Sequence, residues 1–401
     1  MTTTAAPAAT GNATAAASPL LAVYRPAPPV FVAGRGAYLV AEDGREYLDF
    51  VSGIGVNALG YGDPEVLRAI AAAAETGLIH TSNLYRTRPA ADLAAELVRL
   101  SFADAVFFCN SGAEANEAAF KFARRWARES GARDKIEIVA LEGSFHGRLF
   151  GSLAATDRPA FRAPFEPLMP GVRFVPAGDV DAARAAISRE RTAAIIAEPV
   201  QGEGGVRPLD ASYLRALRTL ADEADALLIF DEVQCGLGRT GHLFAYEAAG
   251  VAPDVLTLAK PLAGGLPMGA VLLSARVASA IRPGDHATTF GGGPFVASVA
   301  SAVLRRIAAP EFLAEVRRKG ERMGAALAAL VGRGGVIEAR GRGMMWGLEL
   351  EGAAGPVIGR ALEAGLLATS AGERVLRLLP PLAIPEADLE RGLGILAEVL
   401  E

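Results

Sequence analysis

Two residues placed for chemistry stand where apolar runs stop. The run Ala226–Phe230 (ALLIF) leads into Asp231-Glu232-Val233-Gln234. The run Asp254–Lys260 (DVLTLAK) ends in Lys260, and Pro261-Leu262-Ala263-Gly264-Gly265 follows at once. Both runs have the length, branched residues and bounding turns of buried strands. The carboxyl ends of such strands are where open α/β sheets bind ligands. An amine at that position is partly desolvated, which favours its neutral, nucleophilic form. Neutral amines form Schiff bases with carbonyl cofactors, pyridoxal phosphate foremost. That cofactor needs an acid beside its ring nitrogen. Lys260 and Asp231 are candidates for the two parts. A surface lysine after one strand and a capping aspartate after another would read the same way, so the surrounding elements decide.

From about residue 85 to residue 300 strands and helices alternate regularly, the pattern of a parallel sheet covered by helices. Ala105–Cys109 reads as a strand. Glu114–Glu129 reads as a helix, with Ala115, Ala118, Ala119, Phe122 and Trp126 at helical spacing. Between them Asn110-Ser111-Gly112-Ala113 makes a small-residue turn into a helix N-terminus. Such a turn is either an ordinary cap or an anion site, since free N–H groups and the positive dipole end meet there. Ile136–Ala140 reads as a strand before Glu142-Gly143-Ser144-Phe145-His146-Gly147-Arg148. Ala193–Ala197 reads as another before Glu198-Pro199-Val200-Gln201-Gly202-Glu203-Gly204-Gly205, and Asp210–Ala224 as an amphipathic helix. Four successive strands thus end in polar groups: Asn110/Ser111, Glu198, Asp231 and Lys260. That repetition describes one active-site edge.

Gly236-Leu237-Gly238-Arg239-Thr240-Gly241 matches G-x-G-x-x-G. A dinucleotide site would need those glycines directly on the strand end and opening a long helix. Here Asp231–Cys235 intervene and no long amphipathic helix follows.

The flanks read as a second, α+β domain. Val30–Val32, Tyr38–Val40 and Tyr47–Val51 are short strands, Asp43-Gly44 is a hairpin signal and Pro64–Glu75 is a helix. The glycine-rich stretch Ser52–Pro64 is either a connector or backbone approaching a ligand. Thr288 and Thr289 lie in a glycine-rich loop, as turn residues or phosphate donors. Phe295–Ala308 and Pro310–Val331 read as helices, Val336–Ala339, Met345–Leu350 and Val375–Leu379 as strands, and Glu386–Glu401 as a final helix. The expected division is a disordered tail over 1–19, small-domain segments over 20–80 and 301–401, and a large domain over 81–300.

Composition narrows the class. A chain of 401 residues, half of them hydrophobic, holds a large core. A net charge of −5 gives no electrostatic reason to expect nucleic acid or acidic membranes. Two cysteines, Cys109 and Cys235, without CxxC spacing fit a reducing cytoplasm. Four scattered histidines without HxxxH or HExxH argue against a metal site. The Ala/Thr-rich start lacks the pattern of a secretory signal or transit peptide, and no apolar run is long enough for a membrane span.

From about Tyr24 to the C-terminus the chain resembles the class III pyridoxal-phosphate aminotransferases of fold type I, and within them the acetylornithine aminotransferase group. The segments that carry the resemblance include YLDFVSGIGVNALG, LIHTSNLYRT, VFFCNSGAEANEAAFKFAR, GSFHGR, EPVQGEGG, LLIFDEVQCGLGRTG, LTLAKPLAGGLPMGA, TTFGG and LRLLPPL. The resemblance implies that Lys260 holds the cofactor and shuttles the proton. Asp231 then partners the pyridine nitrogen, Gln234 the ring hydroxyl and Phe145 the ring face. Gly112 and Ala113 hold the phosphate, with Thr289 reaching it across a homodimer interface. Arg148 takes the substrate α-carboxylate, and Thr288 and Tyr24 contact the substrate. Glu203 and Arg377 form a switch that admits a terminal amine when the arginine is covered and the α-carboxylate of glutamate when it is released. The implied reaction moves the terminal amino group of N-acetylornithine to 2-oxoglutarate. Ornithine, succinylornithine, 4-aminobutyrate or carrier-bound lysine donors, and an aminomutase, are alternatives within the superfamily; a nicotinamide dehydrogenase or a non-catalytic scaffold lies outside it. Three positions depart from the family pattern: Gly293 where asparagine is usual, Pro261-Leu262, and Leu149 where threonine is common.

Overall fold

The computed structural model describes residues 19–401. The tail expected over 1–19 therefore lies outside the described residues, Pro19 apart. A seven-stranded sheet forms the centre. Its order is Ala105–Cys109, Gly269–Leu273, Val255–Leu258, Leu227–Asp231, Thr192–Ala197, Glu137–Leu141 and Val172–Val175. Every residue of Thr192–Ala197 and of Leu227–Asp231 is buried. Successive side chains go to opposite faces: Leu228 and Phe230 join one apolar cluster, Leu227 and Ile229 the other. Helices cover both faces, which is why these strands read as continuous apolar runs rather than alternating ones. Helix Gly112–Glu129 buries Ala115, Ala118, Ala119, Phe122 and Trp126 on one of these faces.

Six strands are parallel. Gly269–Leu273 runs against them, between Ala105–Cys109 and Val255–Leu258. Sequence reasoning missed this strand and the edge strand Val172–Val175. An antiparallel strand needs no helical crossover, so the strand–helix alternation does not announce it. The four polar strand ends are consequently not four neighbours. The strands before Lys260, Asp231 and Glu198 are adjacent, and the one before Asn110 stands one strand further away. All four still end on one edge, because the intervening strand runs the other way.

Both flanks of the chain meet in smaller sheets. Phe31–Arg35, Tyr38–Ala41 and Glu46–Asp49 form a meander completed by Leu366–Leu367, parallel to Glu46–Asp49. Val336–Arg342, Met345–Leu350, Val375–Leu378 and Thr369–Ser370 form another sheet. Residue 300 falls inside helix Pro294–Ala308, so no linker marks that position. This helix packs against Pro64–Glu75 and Arg88–Leu100 and ties the N-terminal segment to the large sheet's surroundings. Gly236–Gly241 is irregular and leads to a short 3-10 turn at Ala245–Ala249 rather than a long helix.

The glycine-rich segment after Asp49 contains a left-handed turn, with φ of 44°, 63°, 60° and 81° at Ser52, Gly53, Ile54 and Gly55. Such backbone costs L-residues roughly 1–2 kcal/mol each, and two of the four are glycine. Asp49 holds it: Oδ1 accepts from the N–H of Val51 (2.7 Å) and of Ser52 (2.9 Å), and Oδ2 accepts from Tyr61 Oη (2.6 Å). The turn delivers Val56 to the wall of the cavity at the sheet edge.

Candidate active site

A cavity of about 430 Å³ opens at the carboxyl edge of the sheet, lined by Lys260, Asp231, Phe145, Gly112 and Ala113 among others. Asp231 ends its strand almost fully buried. Its Oδ2 accepts from Asn116 Nδ2 and faces His146 Nδ1, each at 2.7 Å, and its Oδ1 accepts from Val233 N at 3.0 Å. With a carboxylate as acceptor, His146 carries its proton on Nδ1. Asn116 is fixed in turn: its Oδ1 accepts from Thr257 Oγ1 at 2.8 Å, and its amide donates to His146 O at 2.8 Å. The aspartate is thus oriented from three sides, with lone-pair capacity left over.

Lys260 follows strand Val255–Leu258 with φ of +33°, a conformation rare for a side-chain-bearing residue. Such backbone strain concentrates at functional sites. Burial pushes its ammonium below the ordinary lysine value, and Asp231 opposes that shift. A larger neutral fraction makes it a better nucleophile and base. The chain has four lysines. Lys121 meets His286 Nδ1 at 2.8 Å, Lys135 donates to Ala224 O at 2.9 Å, and Lys319 pairs with Glu315 at 2.6 Å. Lys260 is the one that lines the cavity.

Opposite, helix Gly112–Glu129 points its N-terminus at the cavity. Ser111 caps it, its Oγ accepting from Glu114 N at 3.2 Å. Gly112 and Ala113 are the first two helical residues, whose N–H groups have no intrahelical acceptor. A Cβ on Gly112 would lie 2.5 Å from Val233 Cγ1, so only glycine lets this turn sit against the Asp231 loop. Glu198 supports the next wall: Oε1 accepts from Phe145 N at 2.9 Å and Oε2 from Gly202 N at 3.0 Å. Burial raises its carboxyl to about 7, with His146 lowering and Asp231 raising it further.

The residues named for the substrate are more dispersed. Arg148 is exposed on the rim of the cavity. Arg377 is buried and donates to Glu203 Oε1 and, at 3.3 Å, to Gln234 Oε1; its Nε has no partner. Gln234 lines the cavity and links this pair to it. Thr288 Oγ1 accepts from Asn110 Nδ2 at 3.3 Å, which sets its loop beside the helix cap. Thr289 is exposed, Tyr24 is 83% exposed, and neither lines the cavity. The structure therefore gathers Lys260, Asp231, Gln234, Phe145, Gly112, Ala113 and Arg148 at one cavity. It sets the Glu203–Arg377 pair behind that cavity and Thr288, Thr289 and Tyr24 away from it.

Sequence reasoning assigned no role to Asn116, Thr257 or Val56. Asn116 sits on the buried face of its helix one turn after the Gly112 turn, where a polar residue needs a partner. That conflict was the available signal.

A helix start, a desolvated lysine and a carboxylate thus share one edge of the sheet, and the chain's relatives say what family carries them. The family model "Aminotransferase class-III" matches residues 22–400. The chain belongs to the class III aminotransferases. It is 49% identical over 391 residues to the mitochondrial acetylornithine aminotransferase of Alnus glutinosa, covering 96% of this chain and 86% of that one. It is 47% identical to the acetylornithine aminotransferase of Methanocaldococcus jannaschii, covering 94% and 95%. Among solved structures, the N-acetylornithine aminotransferase of Stenotrophomonas maltophilia K279a superimposes with a TM-score of 0.83 at 39% identity, covering 93% and 96%. The ornithine aminotransferase of Toxoplasma gondii gives 0.91 at 30% identity, covering 95% and 92%.

Proposed function

We propose that this chain is a pyridoxal-phosphate-dependent aminotransferase that moves the terminal amino group of N-acetylornithine to 2-oxoglutarate, a step of arginine biosynthesis. The observation that carries the cofactor is the convergence of Lys260, Asp231 and the Gly112 turn on one cavity. Its residues fit the group. The free N–H groups of Gly112 and Ala113 suit a phosphate, Phe145 suits a ring face, and Asp231 suits a ring nitrogen that must keep its proton. Gln234 spends its carbonyl on Arg377 and so has its amide N–H groups free for a ring oxygen. Pyridoxal phosphate, when bound, supplies an aldehyde that takes up amines and a ring that delocalises electrons.

The residues then divide the work. Lys260 would hold the cofactor's aldehyde carbon and, as a neutral amine, is placed to take the proton from the substrate carbon that bears nitrogen. Asp231, oriented by Asn116 and His146, holds the ring-nitrogen proton. Arg148 grips the α-carboxylate through paired N–H donors. Glu203 covers the Arg377 charge while the terminal amine enters, and leaves it when glutamate or 2-oxoglutarate brings an α-carboxylate. Exposed Thr289 serves the neighbouring site of a homodimer, and Thr288 and Tyr24 close the substrate side there. Cys109 and Cys235, both unpaired, suit a cytoplasmic setting.

The test is a panel of amines mixed singly with the cofactor-loaded protein, followed by the change in cofactor absorbance. N-acetylornithine should react with the highest second-order rate. A faster reaction with ornithine, 4-aminobutyrate or a carrier-bound lysine would replace the donor and leave the chemistry intact.

A further inference from the structure

Arg148 is held differently from the other arginines near the cavity. Arg377 is bound by a carboxylate and an amide, and Arg158 by two carbonyl oxygens. The partners of Arg148 among the described residues are two rings. Its guanidinium carbon lies 3.5 Å from the centroid of Phe161 and 5.9 Å from that of Phe145. The shorter distance is a face-on stack on Phe161.

Phe161 is itself fixed. It sits in the short helix Pro159–Arg162, whose entry is tied to the loop that bears Phe145 and Arg148. Asp157 Oδ2 accepts from Gly143 N at 2.8 Å, and Asp157 N donates to Ser144 O at 3.0 Å. Thr156 Oγ1 accepts from His146 N at 2.9 Å. On the other side, Arg158 donates to Glu203 O at 2.5 Å. The segment that carries the ring is therefore tied both to the loop carrying Arg148 and, through Arg158, to the loop carrying Glu203.

A stacked ring holds a guanidinium by its face and leaves the edge free, where all five N–H donors lie. A carboxylate used for the same purpose would occupy those donors and neutralise the charge that the substrate must meet. An arginine left unheld on an exposed rim would lose its rotamer freedom each time it bound.

We propose that Phe161 is a positioning residue for Arg148: its ring face sets the guanidinium edge toward the cavity and so raises the affinity for donors that carry an α-carboxylate. This rests on the role given above to Arg148. The holoenzyme is assayed with N-acetylornithine and with N-acetyl-1,4-diaminobutane, which lacks the carboxylate. The ratio of the two kcat/KM values reads the contribution of the carboxylate. In Phe161→Leu the ratio falls roughly three- to thirtyfold, through the KM of N-acetylornithine rather than kcat. Phe161→Tyr, which keeps the ring, restores it. Calorimetric binding of N-acetylnorvaline, a carboxylate ligand without the reacting amine, weakens by a similar factor in Phe161→Leu and not in Phe161→Tyr. Arg148→Gln separates the two ideas. If Arg148→Gln collapses the ratio while Phe161→Leu leaves ratio and binding unchanged, the role of Phe161 is overturned and that of Arg148 stands. If neither changes the ratio, both fall. Equal losses in Phe161→Leu and Phe161→Tyr would also overturn the proposal, because the ring would not be what matters.

Discussion

The two sides of the cavity are built by different rules. The inner side comes from a strand end, a helix and the buried part of the loop that also bears Phe145: Asp231, Asn116 and His146 are buried and bound to one another at 2.7–2.8 Å. The outer side comes from solvent-facing loop residues set against Arg377, which sits buried on strand Val375–Leu378. Arg148 leans on a ring, Glu203 reaches over Arg377, and Thr289 faces outward. A cofactor that stays through every turnover is best met by groups that cannot move. Two substrates that differ at the carboxylate need groups that can. The contrast is one of burial: the groups around Asp231 are enclosed and mutually bonded, and the groups around Arg148 and Glu203 stand nearer solvent.

Changes on the inner side should therefore cost turnover, and changes on the outer side should cost preference. The largest effect expected is from Lys260→Ala, which loses nucleophile and base together; single-turnover rates should fall by about 10⁴-fold or more. Asp231→Asn keeps the shape and loses the charge proposed to retain the ring proton. Its kcat should fall by about 10²- to 10³-fold with little change in KM. Glu203→Gln uncovers Arg377 on the outer side. It should shift the ratio of kcat/KM for N-acetylornithine over glutamate by about tenfold toward glutamate. A comparable drop in kcat for both would erase the distinction between the two sides.

Much of this was legible in the chain. The strands before Asn110, Glu198, Asp231 and Lys260 announce themselves as apolar runs, because strands covered on both faces carry few polar residues. The Gly112 turn shows because small residues meet a helix start there. Gly269–Leu273 did not show, since its antiparallel entry lacks a crossover helix. Nor did the support of Asp231 by Asn116 and Thr257, which lie 115 and 26 residues away by chain number and meet only through packing. The Arg148–Phe161 stack depends on a four-residue helix too short to carry a period.

Smaller effects probe the frame beneath the inner side. Glu232 is buried next to Asp231, and its two oxygens accept from Ala245 N (2.6 Å) and Tyr246 N (2.7 Å). Burial, the largest cause, raises its carboxyl to about 8 against these bonds. The folded state then binds more protons than the unfolded one between about 4.3 and 8. The resulting stability is fully present below that window and is lost as pH rises through it. Urea midpoints at pH 6 and pH 9 should differ more in the native chain than in Glu232→Gln. The smallest change is at Gly293, which caps helix Pro294–Ala308 without a side-chain bond. Gly293→Asn restores a capping side chain and should raise stability by a few tenths of a kcal/mol, read as a small rise in Tm. A Cβ there meets Phe290 O at 3.2 Å, so a fall in Tm would mean the loop cannot yield.

The most direct test of the account is where the cofactor attaches. The protein is loaded with pyridoxal phosphate, reduced with borohydride, digested and mapped by mass spectrometry. The account predicts one phosphopyridoxyl group per chain, on Lys260. Its appearance instead on Lys121, Lys135 or Lys319, with Lys260 unmodified, would contradict it.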